Sequence, residues 1–388
     1  MDFAPEHENP LDPFPHYGRM REAAPVFHDE QSGTWHVFRY DDVQRALSEH
    51  ARFSSRMGGD DPSETGQLFA ASLITTDPPR HRQLRSLVTQ AFTPKAVDAL
   101  APRISTLTDE LLEGILSRGT ADLIQALAYP LPVIVISELM GIPAEDRDRF
   151  KQWSDVIVSQ TRAGGTNEDH HATNMEMTGY FLNLIEERRS RPGHDLISNL
   201  LSAEIDGQKL SVAELLGFCS LLLVAGNETT TNLIGNAVLS FTEVPGTIER
   251  LLAEPSLIPQ AIEEVLRFRS PVQSMYRVTV ADTTLGDVQI PAGAPLVAWI
   301  GSANRDERQF QHPDRFDVDR GQIRHLAFGH GIHFCLGAPL ARLEAKIALE
   351  AVLSRLPGLA LVPGAPLERM DSTIVYGLKT LPVHWHAA

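Results

Sequence analysis

Cys335 offers the most chemistry in this chain. It lies in Phe328-Gly329-His330-Gly331-Ile332-His333-Phe334-Cys335-Leu336-Gly337, just before a helix that opens with Ala338-Pro339. Three glycines in this string predict positive φ angles and a close approach of backbone to a neighbour. A helix starting behind the sulfur aims free N–H groups and its positive dipole end back at it. Such surroundings favour the thiolate, the form that ligates metal. Phe328 and Phe334 supply apolar cover. Zinc is a rival use, since His330 and His333 are close by. The spacing His-x2-His-x-Cys, however, lacks the usual paired ligands and a clear fourth one. The other cysteine, Cys219, reads as a small core residue.

Three further groups have suggestive spacing. In Ala225-Gly226-Asn227-Glu228-Thr229-Thr230 a glycine inside a helical pattern costs about 1 kcal/mol. The threonines behind it can turn their hydroxyls onto backbone carbonyls. This is either a kinked core helix with a polar seam or a place where Gly226 lets a flat ligand approach, with Glu228 and Thr229 as acid and alcohol beside it. Glu264 and Arg267 stand three apart on one helix face, a pattern that is most often solvated decoration. His81 and Arg85 stand one helical turn apart. Taken singly, they read as surface charge.

The elements that position these residues are mostly helical. Val212 to Val244 predicts one long helix, started by a Ser211/Glu214 capping box and stopped by Pro245-Gly246. At 1.5 Å per residue it runs roughly 50 Å. A helix from about Pro259 to Arg269 ends before Ser270-Pro271, and a last one runs from about Ala338 to Leu356. Between them the period changes to two. Tyr276 to Val280 alternates, Leu285-Gly286-Asp287-Val288 predicts a two-residue hairpin turn, and Pro295 to Ile300 predicts another strand. Near the front, Thr34 to Phe38 is strand-like. The fold class expected is mainly α with a small antiparallel β part.

Composition bounds the function. The chain has 388 residues, 43% hydrophobic and 22% charged, with 34 basic and 50 acidic residues for a net charge of −16. A chain this acidic is a poor partner for nucleic acid or an anionic membrane surface. Met1 to Met20 has no apolar run, and Leu215 to Ala225 is too short to span a bilayer. Two cysteines suit a reducing compartment. A soluble, cytoplasmic protein is expected, folded as one domain over 1–388 with no linker between parts, and monomeric.

The string Phe-x-x-Gly-x-His-x-Cys-x-Gly resembles the haem-binding loop of the cytochrome P-450 family. The resemblance runs from Ala24-Pro25-Val26 to the carboxyl end. It implies the family's triangular helical prism around a buried haem b (iron protoporphyrin IX), with Cys335 as axial thiolate. It implies a buried network of Glu264, Arg267 and an arginine in Pro313-Asp314-Arg315-Phe316, namely Arg315. Residues 225–229 match the family's oxygen-activation motif, with Glu228 where many members have Asp. Thr229 then steadies dioxygen by hydrogen bonding and Glu228 relays protons. His81, Arg85, Arg277 and His333 fall where the family holds the two haem propionates, an anion pair that needs cations. Gly226 and Phe328 complete the expected cofactor contacts.

The activity implied by this resemblance is that of a soluble bacterial haem-thiolate monooxygenase, which takes two electrons from a separate donor. A gas-sensing haem protein would not need Glu228-Thr229, and peroxide-driven relatives often replace that pair with Arg and Pro. Two stretches without acid, Pro78 to Val97 with Arg80, Arg82, Arg85 and Lys95, and Gly321 to Leu343 with Arg324 and Arg342, predict a basic proximal face. That face suits an acidic ferredoxin, fed by its reductase, or a flavodoxin-type donor. The expected distal pocket is apolar: Leu68, Phe69, Leu73, Ile74, Leu222, Ala225, Val272, Met275, Ile374 and Val375. Arg56 and Arg162 are the cations able to meet a carboxylate there. Steroids, terpenoids and fatty acids fit best, with macrolide-like products as a further option.

Overall fold

The long helix organises the molecule, and its start is written in two residues. In the computed structural model, Ser211 Oγ accepts the Glu214 N–H at 3.3 Å, and Glu214 Oε2 accepts the Ser211 N–H at 2.8 Å. The helix then runs over Val212–Glu243 and stops before Gly246, whose φ of +83° no further helical turn tolerates. The structure describes residues 12–56, 72–150, 152–153, 167–205, 207–370 and 372–387.

By length and apolar character alone this helix would cross a membrane. Its faces are instead covered by Pro130–Met140, Ile258–Phe268 and Ala338–Arg355. Asn232, Asn236 and Ser240 are buried along it, so it carries a polar seam through a protein interior. The main core gathers where these helices meet Ala101–Glu113. A second core lies under Asn167–Ser190 and Leu196–Ser202, and it takes in Cys219, which is fully buried.

Among the described residues the β part is small and built on three sheets. The largest has five strands in the order Val26–Asp29, Thr34–Val37, Pro295–Ala298, Met275–Thr279, Phe53–Ser54. One pairing departs from the antiparallel expectation: Thr34–Val37 runs parallel to Pro295–Ala298, with Trp35 opposite Leu296. A parallel pair needs a long crossover, and here most of the helical chain lies between the two strands. The hairpin at Gly286 forms as its spacing implies, with Leu285 opposite Val288. The remaining sheet places Pro382–His384 between Thr120–Asp122 and Ala360–Leu361.

Candidate functional site

The Cys335 loop is held from within and from below. Cys335 donates its N–H to the Phe328 carbonyl at 2.9 Å. Gly329 and Gly331 have φ of +73° and +71°. A Cβ on Gly331 would come within 2.8 Å of Ser48 Cα, so the neighbour that demands glycine is the helix Tyr40–Ser48. The N–H groups of Gly337 and Ala338 point at the sulfur, and Arg85 and Arg342 add positive potential. Burial nonetheless pushes the Cys335 thiol above its ordinary pKa. The expected thiolate is thus not set by these donors alone; a metal held by this sulfur would complete the deprotonation.

Beside the sulfur lies a cluster of basic side chains drawn from three distant segments. His81 is buried on the helix Arg80–Ala91, Arg277 is buried on the strand Met275–Thr279, and His333 sits in the Cys335 loop. The His81 and His333 rings meet edge to face at 4.4 Å. Nε2 of each imidazole is buried and meets no hydrogen-bond partner among the described residues. Burial, with the positive charge of neighbours, lowers His81 to about 4 and His333 to about 3. Burial also lowers Arg277 to about 10 and holds Arg85 down. Among the described residues Asp77 is the acid whose charge reaches this cluster. Two desolvated guanidinium cations, Arg85 and Arg277, and two neutral imidazoles form a site for an anionic ligand next to a sulfur donor. This donor set fits haem: cations and imidazole N–H groups for its two carboxylates, and Cys335 for an iron.

On the long helix, Leu222, Ala225 and Thr229 share one face, and Ala225 is exposed there. Thr229 Oγ1 donates to the Ala225 carbonyl at 2.7 Å. Its proton is therefore committed, and its oxygen is left as an acceptor. Glu228 is buried one position before. A Cβ on Gly226 would lie 3.2 Å from Ile136 Cδ1, so the missing side chain makes room for the helix Pro130–Met140.

The supporting network also needs one correction. Glu264 and Arg267 are fully buried and paired at 2.8 Å. The third member is Arg320, whose Nε lies 3.0 Å from both Glu264 oxygens. Arg315 gives only its backbone carbonyl, to Arg267 at 3.1 Å and to Arg320 at 2.8 Å. Phe316 enters the core against Phe241 and Phe268, which turns the adjacent Arg315 side chain outward. Arg320 follows Asp317-Val318-Asp319, and nothing in that run marks it in sequence.

Of the expected pocket residues, Leu73 is buried and Ile74 exposed. Val272 and Val375 are bridged, and Gln273 donates its N–H to the Ile374 carbonyl at 2.7 Å. These contacts lace the segment before Met275 to the one around Ile374. Arg56 lies 3.9 Å from Asp77 Oδ2. Leu68, Phe69 and Arg162 lie outside the described residues. Among the described residues, no three His, Cys, Asp or Glu side chains gather to hold a bare metal ion.

A family model for cytochrome P450 matches residues 25–380. The chain belongs to the cytochrome P450 family. Its cofactor is protoporphyrin IX haem, and its activity is that of a monooxygenase. This P450 is 45% identical to cytochrome P450 109 of Bacillus spizizenii, over 96% of this chain and 92% of the relative. It is 41% identical to vitamin D(3) 25-hydroxylase of Pseudonocardia autotrophica, over 96% and 93%. The crystal structure of CYP109E1 from Bacillus megaterium in complex with testosterone matches with a TM-score of 0.89, 45% identity, and coverage of 97% and 99%.

Proposed function

We propose that this P450 hydroxylates an apolar, steroid-sized substrate, with electrons from a separate acidic donor. The observation that carries the reading is the cluster of two desolvated arginines and two imidazoles beside Cys335. Cys335 would ligate the haem iron, and His81, Arg85, Arg277 and His333 would hold its propionates. The bound haem supplies dioxygen activation, with the thiolate as electron donor to the iron. The chain's own residues do the rest. Ala225 and Leu222 leave apolar space on the helix face, and the Thr229 oxygen accepts a hydrogen bond from a donor in the cleft. Glu228 moves protons toward that oxygen from the buried side of the helix. Terpenoids, fatty acids and macrolide-like products are the alternatives. A steroid is favoured by the apolar residues Leu73, Val272, Met275 and Val375 and by the testosterone and vitamin D3 relatives.

The donor docks on the proximal face through fewer charges than composition suggests. Arg80 is bonded through two nitrogens to Glu214 at 2.6 Å, and Arg342 is held by Glu263 at 2.6 Å. Arg82, Lys95 and Arg324 remain exposed and give an acidic partner its positive surface.

Two measurements test the reading. The reduced, carbon monoxide-bound protein gives the strongly red-shifted Soret band of thiolate-ligated haem; a colourless protein, or a band without that shift, overturns the ligand assignment. Titration with testosterone produces the spectral change of water leaving the iron and a hydroxylated product on turnover. Binding of a fatty acid or a macrolide in its place moves the substrate class.

A further inference from the structure

Glu263 is the neighbour of Glu264 but takes no part in its network. Adjacent helical residues point about 100° apart, so Glu264 faces the 311–320 segment while Glu263 faces the Cys335 loop. There it accepts two hydrogen bonds from Arg342, from Nε at 2.6 Å and from Nη2 at 2.9 Å. Its Oε2 also lies 3.1 Å from His325 Nε2. His325 Nδ1 accepts the Ala327 N–H at 3.2 Å, which puts the ring hydrogen on Nε2, aimed at Glu263.

Both partners of Glu263 then close on one ring. The Arg342 guanidinium lies 4.5 Å from the Phe328 centroid, and the His325 ring lies 6.0 Å from it. Phe328 is the residue whose carbonyl takes the Cys335 N–H. Arg342 stands on the second turn of Ala338–Arg355, the helix whose first N–H groups face the sulfur. A continuous chain of contacts therefore runs from the Glu263 carboxylate, through a guanidinium and an imidazole, to Phe328 and the backbone of Cys335.

We propose that Glu263, Arg342 and His325 are positioning residues that hold the Cys335 loop and set how strongly its sulfur donates to the haem iron. The inference rests on the reading of Cys335 as the axial ligand. Arg342 is a cation near the sulfur, and Glu263 offsets part of its field. A cation beside the ligand favours the more electron-rich ferrous state, and a carboxylate opposes it. The pair is partly exposed, at 37% and 28%, and is screened by solvent. It therefore adds little to global stability, and its effect is felt at the loop. The planar fork over an aromatic ring is specific to arginine; a lysine supplies the charge without it.

The test uses haem-replete protein: wild type, Arg342→Gln, Arg342→Lys and Glu263→Gln. The ferric–ferrous potential and the spectrum of the reduced carbon monoxide complex are measured at matched haem content. Arg342→Gln lowers the potential and Glu263→Gln raises it. Arg342→Lys returns the potential toward wild type, yet a larger share of its complex shows the blue-shifted band of thiol ligation, because the fork and the ring contact are lost. Thermal midpoints move little in all three. Shifts of the same sign in both Gln variants, or no shift in either, overturn the proposal. So does a complex in Arg342→Lys with the wild-type share of thiolate band. A wild-type protein without that band refutes the ligand assignment itself, which keeps the two failures apart.

Discussion

Arg320 Nε stands 3.0 Å from both oxygens of Glu264, a carboxylate with no exposure to solvent. The guanidinium also donates to the Gln311, His312 and Arg315 carbonyls. Arg267 binds the Asn304, Pro313 and Arg315 carbonyls from the other side. The 311–320 segment is thus folded around two arginines that share one acid.

Removing one partner of a buried pair strands the other charge, at about 3–5 kcal/mol. Glu264→Ala, Arg267→Ala and Arg320→Ala are expected to yield poorly folded or haem-free protein. Arg315→Ala keeps wild-type haem content, because its exposed side chain makes none of these bonds. Haem content per protein and denaturant midpoints of the four variants check this. A stable, haem-replete Arg320→Ala would return the role to Arg315.

Cys335→Ser is expected to lose the thiolate spectrum and monooxygenase activity, since an oxygen ligand is a poorer donor to iron. Cys219 is buried in the second core, and burial pushes its thiol up to about 12. Cys219→Ser therefore keeps the spectrum, with a modest loss of stability from a hydroxyl placed in an apolar site. Absorption spectra of the two purified variants decide the matter.

Thr229→Ala leaves haem content and substrate binding near wild type, because it removes only one methyl and a hydroxyl whose proton serves the Ala225 carbonyl. What is lost is the acceptor oxygen facing the cleft. A positioned proton-transfer group is worth about two to four orders of magnitude, so product per reductant consumed falls sharply and hydrogen peroxide is released instead. Glu228→Gln slows turnover with less peroxide, since Thr229 still stands in place. Counting product, peroxide and reductant together distinguishes the two; tight coupling in Thr229→Ala would assign the role to another group.

Glu344 carries a pH dependence of its own. It is fully buried on Ala338–Arg355, and burial alone raises its carboxyl to about 8. Above the ordinary value of 4.5 the unfolded chain has lost this proton while the folded protein keeps it, so stability falls as pH rises, by about 1.4 kcal/mol per unit for one group. The fall ends near pH 8, where the folded carboxyl also ionises. Glu344→Gln removes this slope between about pH 5 and pH 8. Denaturant unfolding at several pH values measures it, and equal slopes in the two proteins would show that the carboxyl is ionised when folded.

Features settled within a few residues were open to a reader of the sequence alone. The Ser211/Glu214 cap, the Gly286 hairpin and the string ending in Cys335 depend on spacing over one turn or one loop, where backbone geometry leaves few alternatives. Other features wait on contacts between distant segments. His81 and His333 meet only when the Arg80–Ala91 helix is packed over the Cys335 loop, and only then do two imidazoles join Arg277 and Arg85 as one anion site. Gly226 answers to Ile136 on another helix, although its own motif gives no hint of that neighbour. Arg315 and Arg320 look alike in sequence; the burial of Phe316 turns one outward and leaves the other on Glu264. The charges of Arg80 and Arg342 count as surface until Glu214 and Glu263 are brought beside them. Side-chain type and spacing determined the chemistry available to this protein, and packing decided which copy of each group performs it, because burial and direction are properties of the assembled core.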